Sequence, residues 1–147
     1  MKLVPSGYRI FFRPSSGHHA QVIDDNDINV IQISGDFAQL RTLLSLMHEI
    51  GHLHADKQYD PGMAKKISDV RKAYTNYSVK LTENDLQLVV QDEINAWDFV
   101  LNQLQPFINP PAHPLLSENA IKEDMEHSLK SYRKIIDERL GRVPISL

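Results

Sequence analysis

The chain has 147 residues, 41% of them hydrophobic and 24% charged, with a formal net charge of −3. That is length enough for one domain with a sizeable core, the composition is that of an ordinary globular protein, and no basic footprint for nucleic acid is present. There is no cysteine, so disulfides, thiolate metal sites and a cysteine nucleophile are all excluded.

The elements follow in chain order. Residues 1–7 contain no apolar signal-peptide stretch, and no run approaches the ~18 apolar residues of a membrane span. A cytoplasmic protein with no membrane or nucleic-acid partner is therefore expected. Residues 8–13 read as a strand closed by Pro14-Ser15-Ser16-Gly17. Residues 20–24 read as a second strand, and Asp25-Asn26-Asp27 as a turn. A third strand covers 28–33, with Ile28, Val30 and Gln32 on one face and Ile31 and Ile33 on the other. The three are expected to form a small, twisted, mostly antiparallel sheet.

Phe37, Leu40, Leu43, Leu44, Met47 and Ile50 recur at helical spacing, which predicts a helix from about 36 to 55, starting at Ser34-Gly35-Asp36. Asp60-Pro61-Gly62 opens a polar, weakly periodic helix over about 62–77. Thr82 and Asp85 form a variant capping box for a long helix to about Gln105. Pro106, Pro110, Pro111 and Pro114 then interrupt the chain. Ser117 caps a last helix, about 117–140, with Ile121, Met125, Leu129, Tyr132, Ile136 and Leu140 on one side and Gly141 as its stop. Strands first and helices after predict one α+β domain over 1–147, with its core at about 8–105.

The chemistry concentrates at His48-Glu49-Ile50-Gly51-His52. Two histidines four apart project from one helix face, the separation two imidazoles need to grip one zinc ion. Glu49 points about a quarter-turn away, where its carboxylate reaches a water without occupying a coordination position. Catalytic zinc takes three protein ligands and a water, so a third ligand is required. In the helix over 82–105, Leu86, Val90, Trp97, Val100 and Leu104 form an apolar seam, and Glu93 falls at its vacant place. A carboxylate on a core-facing stripe is costly unless it binds a metal or pairs with a lysine or arginine from a neighbouring element.

Asp56 is the competing ligand, but it lies about 6 Å along the axis beyond His52. Asp92 and Asp98 turn off the seam, and either could orient a zinc-bound imidazole by accepting its other N–H. His54 points away from His52. His18 and His19 sit in a turn, His113 in the proline segment and His127 on the last helix. One of these, or Tyr132, is a candidate to stabilise an oxyanion, with a packing or solvated role as the plainer reading. Gly51 inside a helix costs about 1 kcal/mol relative to alanine, which suggests that another element passes close to that face.

The run from Met47 to Leu53, followed about forty residues later by Glu93-Ile94-Asn95-Ala96-Trp97-Asp98-Phe99, resembles gluzincin-type zinc metallopeptidases, in particular the small ImmA/IrrE-like and minigluzincin proteins. The resemblance covers about residues 28–101. It implies a twisted sheet, an active-site helix and a glutamate helix packed across it, with zinc held by His48, His52 and Glu93 and Glu49 as the base. It also implies a peptide or protein substrate laid along the edge of the sheet. The chain lacks the downstream glycine and histidine of metzincins, and no helix-turn-helix region is evident. The alternative function is a non-catalytic zinc-binding or partner-binding domain with the same fold.

Overall fold

In a computed structural model, residues 3–14, 19–25, 28–36 and 39–146 are described. Three strands come first: β1 (Tyr8–Pro14), β2 (His19–Asp25) and β3 (Ile28–Gly35). Four α-helices follow: α1 (Leu40–Asp56), α2 (Pro61–Ala73), α3 (Glu83–Leu104) and α4 (Glu118–Arg139), with one 3-10 turn at Gln105–Phe107. The fold class is α+β, as the order of the sequence patterns implies. No helix among the described residues is long and apolar enough to cross a membrane. His18, Phe37 and the Asn26-Asp27 part of the expected turn lie outside the described residues, as do the side chains of His19 and Ile28.

The sheet is mixed rather than mostly antiparallel. Its order is β1-β3-β2. β2 pairs antiparallel with β3, Ala20 opposite Ile33 and Val22 opposite Ile31. β1 pairs parallel with β3, from Tyr8 opposite Asn29 to Pro14 opposite Gly35. The chain reverses twice between β1 and β3, so these two strands point the same way. Because β3 lies between the others, its pairing with β1 has to be parallel. At the centre of the sheet, Ile31 and Ile33 of β3 are completely buried.

Helix α1 begins at Leu40 rather than near 36, with Gln39 at its N-cap and no side-chain cap bond. β3 runs to Gly35, so the backbone is still extended where the helix was expected to start. α3 opens on the expected capping box: Thr82 Oγ1 accepts from Asp85 N (3.1 Å), and Asp85 Oδ2 accepts from Thr82 N (2.9 Å). Ser117 caps α4 through Ala120 N, and Gly141, at φ 71°, closes it. There Arg142 N donates to Asp137 O and Gly141 N to Glu138 O, the double return that only a left-handed residue permits comfortably.

Helix α3 is shared by two clusters of buried side chains. Trp97, Val100 and Leu104 pack with Ile31, Ile33, Leu44, Met47 and Ile50 of the sheet and α1. Leu86, Val89 and Val90 pack with Val70 and Tyr74 from α2 and its C-terminus and with Leu129 and Ile136 of α4. α2 is fixed from both sides. Asp60 caps it through Met63 N (3.0 Å). Arg139 of α4 donates to the carbonyls of Ala73, Tyr74, Asn76 and Val79 just past its C-terminus. Ala73 O and Asn76 O also accept turn bonds from Asn76 N and Val79 N, and one guanidinium ties all four carbonyls of this helix end and loop together.

Gly51 meets the expectation placed on it. A Cβ built there would lie 2.5 Å from Ala96 O and 3.0 Å from Ala96 Cα, both backbone atoms of α3. Gly51→Ala is therefore expected to destabilise the fold by about 1–3 kcal/mol as the helices are forced apart, although alanine is intrinsically the better helix former. Denaturant unfolding measures this, and an unchanged or raised midpoint would contradict so close an approach.

Candidate metal centre

His48 and His52 lie one turn apart on α1, their ring centroids 4.5 Å apart at 68°. Trp97 of α3 stacks on the His48 ring at 4.6 Å and 22°, which fixes its plane. Glu93 enters from α3 and is 1% exposed. Its Oε2 lies 2.9 Å from His48 Nε2, and its Oε1 lies 3.1 Å from His52 Nε2. The three side chains offer two imidazole nitrogens and a carboxylate oxygen within 4.8 Å of one another, so the cluster could hold a metal ion. The close approach at Gly51 makes this possible, since it draws the backbone of α3 against α1 three residues beyond Glu93.

Around this cluster lies a set of buried polar partners. Asp92, 2% exposed, accepts from His52 Nδ1 at 3.1 Å. Of the two aspartates considered for orienting a ligand imidazole, Asp92 is thus the one bonded to a histidine of the cluster, while Asp98 is exposed. Tyr59 donates its hydroxyl to Asp92 Oδ1 (3.1 Å) and accepts from Asn95 Nδ2 (2.8 Å). Ser128 of α4 donates to Glu93 Oε2 (3.3 Å). Arg71 of α2 reaches Asp92 Oδ2 at 2.5 Å and Glu93 Oε1 at 3.0 Å. Both readings of Glu93 considered from sequence thus coexist: it faces the two histidines and also pairs with an arginine from a neighbouring helix.

The cluster forms one wall of an open cavity of about 460 Å³. Glu49 lines it, as do Ala20, Gln21 and Val22 of β2 and the apolar Leu53 and Ile67. Glu49 Oε1 lies 3.7 Å from His48 Nδ1, and the side chain is 18% exposed. Asp56 lines the same cavity but is not part of the three-residue cluster, as its axial offset predicts. Tyr132 also reaches the cavity, and its hydroxyl accepts from Arg71 Nη1 (3.0 Å). His54 is structural: its Nε2 bonds Leu3 O (2.7 Å) and its ring stacks on Phe99. His113 Nδ1 accepts from Leu115 N in the proline segment, and His127 lines a separate hollow along α4.

The electrostatics follow from this burial. Burial opposes charge on Glu93, yet hydrogen bonds from His48 and His52 outweigh it and hold the carboxyl well below the usual range. Burial likewise opposes charge on His52, but its bonds to Asp92 and Glu93 prevail and push the imidazole up to about 9. Burial raises the pKa of Glu49, partly offset by the two histidines. Arg71, Tyr59, Asn95 and Ser128 were not singled out in the sequence. Their only signals are local ones, a polar residue on a weakly patterned helix or beside a loop, and none of these specifies a partner.

No family model, no curated protein and no solved structure matches the chain.

Two outcomes are expected of the centre. Asp92→Asn should weaken metal binding by about 10–100-fold, because Asp92 orients the His52 ring; competition against a chromogenic chelator reads this, and wild-type affinity would remove Asp92 from that role. In metal-free protein, the bonds of protonated His52 stabilise the fold fully below its ordinary pKa of 6.5 and are lost as pH rises through about 9. The thermal midpoint of chelator-treated protein should therefore decline across that window, and a flat profile would contradict the pairing.

Proposed function

We propose that the protein is a zinc-dependent peptidase of the gluzincin type. The observation that carries this reading is the convergence of His48, His52 and Glu93 on the wall of a cavity that Glu49 also lines. Two imidazoles and one carboxylate suit zinc better than the oxygen-seeking magnesium or calcium. A zinc ion so held would polarise a peptide carbonyl and acidify a water.

The remaining steps belong to the chain. Glu49 stands beside His48 without joining the donor set, so its carboxylate is available to take a proton from the attacking water and return it to the departing amine. β2 is an edge strand of the sheet, and its stretch Ala20-Gln21-Val22 lines the cavity. An extended peptide can add to that edge by main-chain hydrogen bonds. Val22, Leu53 and Ile67 offer an apolar wall to a side chain next to the scissile bond. The substrate is accordingly a peptide or an unfolded protein segment.

A second reading is favoured by one observation. Glu93 is already satisfied by His48, His52 and Arg71, so the network is stable as a polar core and could serve a non-catalytic partner-binding domain. Two measurements separate the readings. Metal analysis of purified protein should find one zinc per chain. Glu49→Gln should keep that zinc and lower peptide-library cleavage by about 10²–10⁴-fold. Cleavage unchanged in that variant would exclude Glu49 as the base, and no cleavage by wild type would favour the binding domain.

A further inference from the structure

Arg71 is the α2 cation that reaches the carboxylates of the centre, and it treats the two oxygens of Glu93 unequally. Its Nη2 lies 3.0 Å from Glu93 Oε1. Oε1 also faces His52 Nε2 at 3.1 Å. Oε2 faces His48 Nε2 at 2.9 Å and receives the Ser128 hydroxyl at 3.3 Å. The same guanidinium binds Asp92 Oδ2, which accepts from His52 Nδ1, and gives its other arm to the Tyr132 hydroxyl. One planar fork thereby registers the carboxylate opposite the histidines, the carboxylate behind His52 and a phenol on the cavity wall. A guanidinium stays charged at every working pH and accepts no hydrogen bond, so this hold does not depend on protonation.

A carboxylate can bind one ion through one oxygen or through both. Bound through both, Glu93 together with His48 and His52 would fill four positions, so that a water could be held only as a fifth ligand rather than at the open fourth place of a tetrahedral catalytic site. We propose that Arg71 is a positioning residue that reserves Oε1 of Glu93, so that an ion gripped by His48 and His52 takes this carboxylate through Oε2 alone and keeps a position for water. The inference rests on the metal-centre reading above. It gives Arg71 a task that plain neutralisation of buried charge does not contain, namely fixing how many oxygens Glu93 contributes. A lysine at the same place would supply the charge but only a compact point donor, without the fork that spans Asp92 and Glu93 together.

The test uses Co²⁺ alone as the probe, because its visible absorption is intense in four-coordinate sites and several-fold weaker in five- or six-coordinate ones. Full-length wild type, Arg71→Lys and Arg71→Met are stripped of metal, loaded with Co²⁺ and compared after far-UV circular dichroism has established that each is folded. Wild type is expected to give the intense four-coordinate band. The folded variants are expected to lose several-fold in intensity, Arg71→Met at least as much as Arg71→Lys, and Arg71→Lys carries the comparison if Arg71→Met does not fold. Variants with the wild-type spectrum, or a wild type that is itself weakly absorbing, overturn the assignment to Arg71 while leaving the metal centre intact. A wild type that takes up no Co²⁺ overturns the metal centre and this inference with it.

Discussion

A carboxylate buried on the core-facing stripe of a helix has to be answered from several directions at once, and Glu93 imposes that demand on this fold. At 1% exposure it has no solvent to fall back on, and an unpaired buried charge is among the costliest features a protein can hold. Four helices meet the demand. α3 carries the residue, α1 brings His48 and His52, α2 brings Arg71 and α4 brings Ser128. The polar centre is thus also the point where the two apolar clusters on α3 meet, and the helices cannot shift relative to one another without unpairing it. Buried networks of this kind are valuable when complete and damaging when any member is missing.

Distance sets the second condition. Side chains as short as Glu and His can share one ion only if their helices nearly touch, and the contact of Gly51 with the backbone of Ala96 provides that closeness. Ala96 is itself completely buried, so small residues face one another at the crossing, while Trp97, the next residue along, supplies the flat surface on which His48 lies. The departure from ordinary helix composition at Gly51 and the stacking at Trp97 are two halves of one arrangement, because the first admits the helix that carries the second.

What could be read from the sequence was whatever depends on near neighbours in the chain. Histidines four apart share a helix face by geometry, and the gap in the apolar seam at Glu93 shows from the residues on either side. The Thr82–Asp85 box and the Gly141 stop are local hydrogen-bond patterns that need no tertiary information. The parallel pairing of β1 with β3 could not be read, since alternation locates strands without saying which lie side by side. Arg71 was hidden for a related reason. It sits on a polar helix where any basic residue looks like solvated surface, and only the packing of α2 against α3 turns it inward. The start of α1 was misplaced because apolar spacing continues across the end of β3, and periodicity alone does not mark where an extended backbone becomes helical.

The charges around the centre bear on what an ion would change there. Without one, two carboxylates, Asp92 and Glu93, face two cations, Arg71 and a His52 whose pKa stands at about 9. These four charges balance one another. A divalent ion must displace the His52 proton, since a ligand imidazole is neutral, and the exchange leaves one positive charge in excess. Glu49 lies next to His48 in a place where burial raises its pKa, and added positive charge nearby acts in the opposite direction. An ion at the centre and the charge on Glu49 would on this account be coupled through electrostatics, without any change of shape.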